Sequence, residues 1–399
     1  MSLLSTKQNS AKNRQMKILI TGICGFVGST LARELAKKGN KLCGLDNFLR
    51  EGSRGNLGPL RNLGIQVEEG DIRNEGDLAK MPKVDWVLDC AAEPSVLAGL
   101  SGVMGSYELM DHNLIGTIRL LELCKKQGAG FILMSTSRVY SVAKLATLKI
   151  HQKGDGKWEM GDRGDASGQR SVVGISEKGI NEGFSTEPPL SLYGASKRCA
   201  ELLALEYGEA FGFPVWINRC GVLAGKGQFG KADQGIFSYW IRSWRENRPL
   251  RYFGFGGTGA QVRDCLHPKD LVPVLKKQMA AGVGDGRWEM GDGGVAGDGS
   301  LVTGKSPSTI SDLPSAKDGG GRVDPRICNF GGGVENSCSL AQLSAWCEKR
   351  FGERKVEADP KPRPYDLPWV VMDTSRAEKM WGWKVQTPME KILEEIAEV

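Results

Sequence analysis

The chain has 399 residues, 40% apolar and 25% charged, with a formal net charge of +6. This composition fits a globular protein with a sizeable core and excludes collagen-like and disordered chains. The positive balance is spread thinly, without a basic run or a stripe of basic and aromatic residues, so nucleic acid is excluded as the expected partner.

Residues 1–15 read as a flexible tail; MSLLSTKQNSAKNRQ has no apolar core of a secretion signal, and no apolar run approaches the ~20 residues of a membrane span. Ten scattered cysteines, none in a C-x-x-C pair, give no zinc motif and suit a reducing cytoplasm; no metal and no membrane partner are expected.

From Met16 onward, short apolar runs alternate with helical patterns. Lys17–Thr21 (KILIT) predicts a strand buried on both faces, residues 27–38 an amphipathic helix stopped by Gly39-Asn40, and Lys41–Asp46 a second strand. Strands are expected at 67–71, 84–90, 131–135 and 215–218, with helices at 109–126 and 195–211. This alternation implies right-handed crossovers and a parallel, doubly wound α/β sheet of the Rossmann type. A smaller C-terminal α/β domain is expected to follow, with the division at 16–218 and mainly 219–399 and some later segments returning to the first sheet. Two stretches break the pattern. GDGKWEMGD near 154–162 and GDGRWEMGD near 284–292 are a short internal duplication, read as surface insertions at about 150–180 and 283–325, the second flexible.

The first strand runs into Thr21-Gly22-Ile23-Cys24-Gly25-Phe26-Val27-Gly28, which opens the first helix. Gly22 permits a tight turn, Gly25 lets backbone approach a pyrophosphate, and Gly28 lets helix and strand pack closely; the helix N-terminus then offers free N–H groups to the phosphates. Cys24, Phe26 and Val27 belong to the same turn. Asp46, followed by Asn47, ends the second strand at about the spacing expected of a ribose-binding acid, which favours NAD over its 2′-phosphate; Arg50 and Arg54 lie close by. Asp71-Ile72 would flank the adenine, and Ala91-Ala92 leave room for the cofactor across the strand ends.

Tyr193 and Lys197 lie one helical turn apart at the start of the long helix and share a face. A phenol is a poor base at neutral pH, but a nearby ammonium favours its phenolate. The fifth strand ends Ser135-Thr136-Ser137-Arg138, where Thr136, and after it Ser135, could hydrogen-bond the substrate oxygen that loses a proton.

Together, the glycine turn, Asp46, Ala91-Ala92, Ser135-Thr136-Ser137 and Tyr193/Lys197 resemble the extended short-chain dehydrogenase/reductase family, over nearly the whole chain from Met16. The resemblance implies an enzyme in which 16–218 binds NAD and mainly 219–399 is the smaller substrate-binding domain, with Tyr193 as proton acceptor, Thr136 assisting and Lys197 holding the nicotinamide ribose. Gln261-Val262-Arg263-Asp264 resembles the family segment whose arginine grips a sugar-nucleotide diphosphate, which makes Arg263 the first substrate-binding candidate, with Arg219 and Arg363 behind it.

Family members that eliminate water carry an Asp-Glu pair where this chain has Ser137-Arg138, so dehydration is disfavoured. Asp46-Asn47-Phe48 with LREGSRGN, Gly227-Gln228-Phe229 and Asp233-Gln234-Gly235 look like CDP-paratose 2-epimerases (tyvelose epimerases) and add Gln228 and Gln234 to the substrate candidates. The chain departs from the family pattern at Cys220-Gly221-Val222, Ser141 and Glu93. The resemblance thus implies epimerisation of a nucleotide-diphosphate sugar through a transient keto intermediate, with NAD recycled. UDP-sugar 4-epimerisation and net nucleotide-sugar oxidation are the alternatives, and a NAD-sensing scaffold is the non-enzymatic one. It also implies a homodimer or higher homo-oligomer through the helices at 109–126 and 195–211.

Overall fold

A computed structural model of the chain describes residues 15–100, 104–152, 158–160, 172–231, 234–282 and 323–398. The expected N-terminal tail, most of the first insertion and nearly all of the second lie outside the described residues.

Seven parallel strands form one sheet: β1 (Lys17–Thr21), β2 (Lys41–Asp46), β3 (Gln66–Glu69), β4 (Trp86–Asp89), β5 (Gly130–Thr136), β6 (Val215–Cys220) and, after an intervening strand β7 (Val262–Asp264), β8 (Ile327–Phe330). The order across the sheet is β3-β2-β1-β4-β5-β6-β8, with register pairs such as Leu19–Cys43 and Leu19–Val87. The order reverses direction between β1 and β4, the switch point at which such sheets open a crevice beyond their strand ends. Burial on both faces explains the near-continuous apolar runs: Ile18, Leu19, Ile20, Phe131, Leu133 and Ile217 are all inaccessible to solvent. One face packs against α1 (Phe26–Ala36) through Leu31 and Leu35, the other against α2 (Gly116–Gln127) and α3 (Leu192–Phe211) through Leu120, Leu121, Ala200 and Ala204.

Local chemistry sets the helix ends. Ser191 caps α3, its hydroxyl accepting from the Gly194 N–H at 3.0 Å, and Gly212 ends it in the left-handed region at φ 67°. The helix expected from 109 begins earlier, at Ser106, and passes through a five-residue π turn at Asp111–Ile115 before becoming α2. There the Asn113 amide bonds the Glu93 carbonyl and Ser196 hydroxyl, tying that turn to the ends of β4 and α3. The strands expected at 67–71 and 84–90 are shorter, at Gln66–Glu69 and Trp86–Asp89.

A second lobe stands over the carboxyl ends of the large sheet. Its helix α4 (Ile236–Arg245) buries Phe237, Trp240, Ile241 and Trp244, the 3.6-residue spacing of one helical face, against α6 (Leu340–Phe351) and α7 (Met389–Ala397); α5 (Val272–Ala281) packs instead on the large sheet. A small sheet places β7 between β9 (Ser337–Ser339) and β10 (Trp369–Val370), antiparallel to the first and parallel to the second. Among the described residues no helix is long and apolar enough to cross a membrane.

Candidate active site

The crevice at the switch point is a cleft of about 600 Å³, lined from one end to the other by the glycine turn, the ends of β2 to β6 and the first turns of α3. Gly22 has φ +58°, and a Cβ there would press on the Ala91 backbone at 3.0 Å. Gly28 has no such freedom to exploit; its role is contact, since a Cβ would stand 2.3 Å from the Gly22 carbonyl oxygen. The turn closes with Gly25 N–H donating to that same oxygen at 2.9 Å, which leaves Phe26 and Val27 at the mouth of α1, facing the cleft.

Asp46 lies in the same cleft. Its carboxylate accepts from the Cys24 N–H at 2.8 Å and the Phe48 N–H at 2.9 Å. Burial pushes its carboxyl above the ordinary range, and these backbone donors and the more distant Arg54 work against that shift. Asp71 accepts from the Asn47 amide at 2.9 Å and from Arg73; burial opposes its charge, but the guanidinium holds its carboxyl well below the usual range. Asn47, Asp71, Ile72, Ala91 and Ala92 all line the cleft. Cys24 does not: its thiol is packed in the core, and only its N–H contributes, by holding Asp46. The arrangement fits a dinucleotide, because the glycine cradle would be filled by any Cβ and Asp46 is presented with its carboxylate oriented by fixed donors.

At the centre of the cleft, β5 and α3 converge. Tyr193 is buried, and burial pushes its phenol up to about 12, while a hydrogen bond from the Thr136 hydroxyl and the charge of Arg138 favour the phenolate. Lys197 is buried one turn further along and lines the same cleft. No carboxylate among the described residues is within ion-pair range of its ammonium, so this desolvated cation fits the hydroxyls of a bound ribose.

Besides Cys24, three expectations need correction. Ser135 lies at the cleft, but its hydroxyl donates to Glu201 at 2.6 Å, so Thr136 alone stands beside Tyr193. Arg219 lines neither the cleft nor the smaller cavity beside it. It is only 2% exposed and forms a two-pronged pair with Glu201 at 2.9 and 2.7 Å, packed over the Tyr140 ring, so it is a structural cation beneath the site. Gln228 reaches the cleft but spends its amide within the fold, accepting from Ser238 at 2.7 Å and donating to the Leu223 carbonyl at 2.8 Å.

Gln234 has a free face. Its nitrogen donates to Glu93 at 2.9 Å, while its oxygen is buried in the cleft wall without a hydrogen bond. Arg263 and Arg363 line the smaller cavity, of about 150 Å³, together with Asp366; Arg263 pairs with Asp366 at 2.9 Å and Arg363 approaches it at 3.8 Å. Arg138 borders both cavities and donates to the Tyr365 carbonyl at 3.1 Å. Sequence reasoning noticed Arg138 only as a missing acid; its position two residues past Thr136 was the signal that it faces the site. His112, on the π turn, also lines the cleft and was not anticipated.

Known proteins share this architecture. The family model described as "NAD dependent epimerase/dehydratase family" matches residues 18–157 and 166–291. The chain is 29% identical to CDP-paratose 2-epimerase from Salmonella typhi over 278 residues, covering 66% of this chain and 75% of that protein. It is 24% identical to UDP-glucuronate 4-epimerase from Thermodesulfobacterium geofontis over 380 residues, 94% of this chain and 92% of that one. Its fold superposes on a crystal structure of UDP-glucuronic acid 4-epimerase from Bacillus cereus, in complex with UDP-glucuronic acid and NAD, with a TM-score of 0.66 and 24% identity, covering 96% and 98% of the two chains. The family model spans more than half of the chain, and the chain therefore belongs to the NAD-dependent epimerase/dehydratase family of enzymes.

Proposed function

We propose that this enzyme inverts one centre of a nucleotide-diphosphate sugar by transient oxidation and re-reduction. The observation that carries the reading is the meeting of Thr136, Tyr193 and Lys197 in the glycine-turn cleft, next to a cavity lined by Arg263 and Arg363. NAD, when bound, accepts a hydride from a sugar carbon and returns it. Tyr193 takes the proton of the hydroxyl on that carbon, and Thr136 hydrogen-bonds the same oxygen. Lys197 holds the nicotinamide ribose. The Arg263 and Arg363 guanidinium groups suit phosphate oxygens and keep the keto sugar attached through its diphosphate while its other face turns to the cofactor. Gln234 offers its unpaired oxygen to a sugar hydroxyl.

The finer reading is CDP-paratose 2-epimerisation, supported by the likeness to the Salmonella enzyme and by the segment after Asp46. UDP-glucuronate 4-epimerisation is the second reading, favoured by relatives that span nearly the whole chain. Absence of the Asp-Glu pair at Ser137-Arg138 argues against dehydration, because elimination then lacks its proton donor. We read α2 and α3 as a subunit interface of a homodimer, since Leu202 and Phe211 are exposed apolar residues on α3. Ten free cysteines suit a cytoplasmic setting.

The test is incubation of the NAD-loaded enzyme with CDP-, UDP-, GDP- and dTDP-sugars, followed by NMR of the sugar and absorbance of reduced nicotinamide. Conversion to the epimer without net reduced cofactor is expected. Stoichiometric build-up of reduced cofactor would replace epimerisation with net oxidation.

A further inference from the structure

We infer that Arg138 is a positioning residue for the proton step, supporting the ionised form of Tyr193 from the substrate side while Lys197 does so from within the helix. The inference rests on the reading of Tyr193 as the proton acceptor.

The backbone of Arg138 is fixed against the catalytic helix. Its N–H donates to the Thr136 hydroxyl at 3.1 Å, and its carbonyl lies so close to Gly194 that a Cβ there would come within 2.2 Å. Gly194 adjoins Tyr193, so the turn that carries Arg138 packs directly against the turn that carries the phenol. The guanidinium then crosses to the second lobe, where the Tyr365 carbonyl accepts from it at 3.1 Å. That anchor is neutral. The nearby carboxylate, Asp366, is engaged by Arg263 and Arg363, and no carboxylate among the described residues forms an ion pair with Arg138. A half-buried cation with no carboxylate in direct contact stabilises negative charge near it.

Groups from every neighbouring element face the phenol. Glu93, beyond β4, and Cys220, at the end of β6, disfavour its ionisation, as does burial; Thr136, on β5, and Arg138 favour it. Lys197 lies on the same helix. Burial and the neighbouring Arg263 pull Arg138 itself down to about 10, so it remains charged at neutral pH. A cation at this position serves proton abstraction by Tyr193.

The competing role is a third grip on the diphosphate. The two separate in a titration that needs no substrate. The tyrosinate absorbance of the NAD-bound enzyme is followed into the alkaline range, and the same curve for Tyr193→Phe is subtracted to isolate Tyr193. Arg138→Gln is expected to raise the midpoint by about one pH unit, leaving about ten-fold less phenolate at neutral pH, and Arg138→Lys to recover most of the shift. An unchanged midpoint in Arg138→Gln, with weaker binding of UDP or CDP, would assign Arg138 to the diphosphate and overturn the inference. So would equal shifts in the Gln and Lys variants, because charge would then not be the agent. Failure of the underlying functional reading shows separately, as wild-type turnover in Tyr193→Phe.

Discussion

Arginines that look alike in the sequence do opposite jobs in this fold, and the difference lies in what each one faces. Arg219 is locked onto Glu201 under the sheet; Arg263 stands at a cavity wall with one carboxylate shared between two guanidinium groups. Arg219→Met should therefore strand the buried Glu201 carboxylate and cost about 3–5 kcal/mol in denaturant unfolding. Arg263→Met should leave the unfolding midpoint nearly unchanged while weakening binding of UDP or CDP by at least about ten-fold, read by calorimetry. The reverse pattern would exchange their roles. Nothing in the sequence separates the two, because Glu201 meets Arg219 only once α3 has packed on the sheet. The same limit applies to Ser135 and Thr136. Both were legible as a hydroxyl pair at a strand end, but strand alternation, which points neighbouring side chains to opposite faces, decides which one reaches Tyr193. Cys24 and Gln228 were visible as members of motifs, whereas their actual work, an N–H on Asp46 and an internal brace, depends on side-chain direction.

Secondary-structure elements were more legible than side chains. The bounds of β1 and β2 follow directly from apolar runs bordered by glycine and asparagine, and β5 and α3 differ from expectation only at their ends. The π turn at Asp111–Ile115 was not legible, since its extra residue is held by tertiary bonds from Asn113 to the Glu93 carbonyl and Ser196. The glycine turn, by contrast, is specified by sterics alone, and this makes a sharp prediction. Gly28→Ala places a methyl carbon 2.3 Å from the Gly22 oxygen, so α1 must shift away from β1. Overpacking of this kind costs ~1–3 kcal/mol, and NAD affinity should fall about ten-fold or more in a titration of cofactor fluorescence while the fold survives. Undiminished affinity would mean that this turn does not cradle the dinucleotide.

Across the whole molecule, the proposed function draws on residues of two lobes. The large sheet positions the proposed cofactor residues and the Thr136, Tyr193 and Lys197 group at its switch point. The second lobe brings Arg263 and Arg363, and Arg138 reaches from one to the other through Tyr365. The parallel sheet was legible from the alternation of strands and helices, and the crevice from the rule that ligands bind beyond the strand ends. The second lobe was legible only through short resembling segments, because its strands are two or three residues long and carry little periodicity of their own. The duplicated WEMGD segments fall largely outside the described residues. The most direct measurement of the central claim is turnover by the Tyr193→Phe holoenzyme on whichever nucleotide sugar the wild type converts. The account predicts retained NAD and a rate at least about 10²-fold lower. Wild-type turnover by that variant would contradict it.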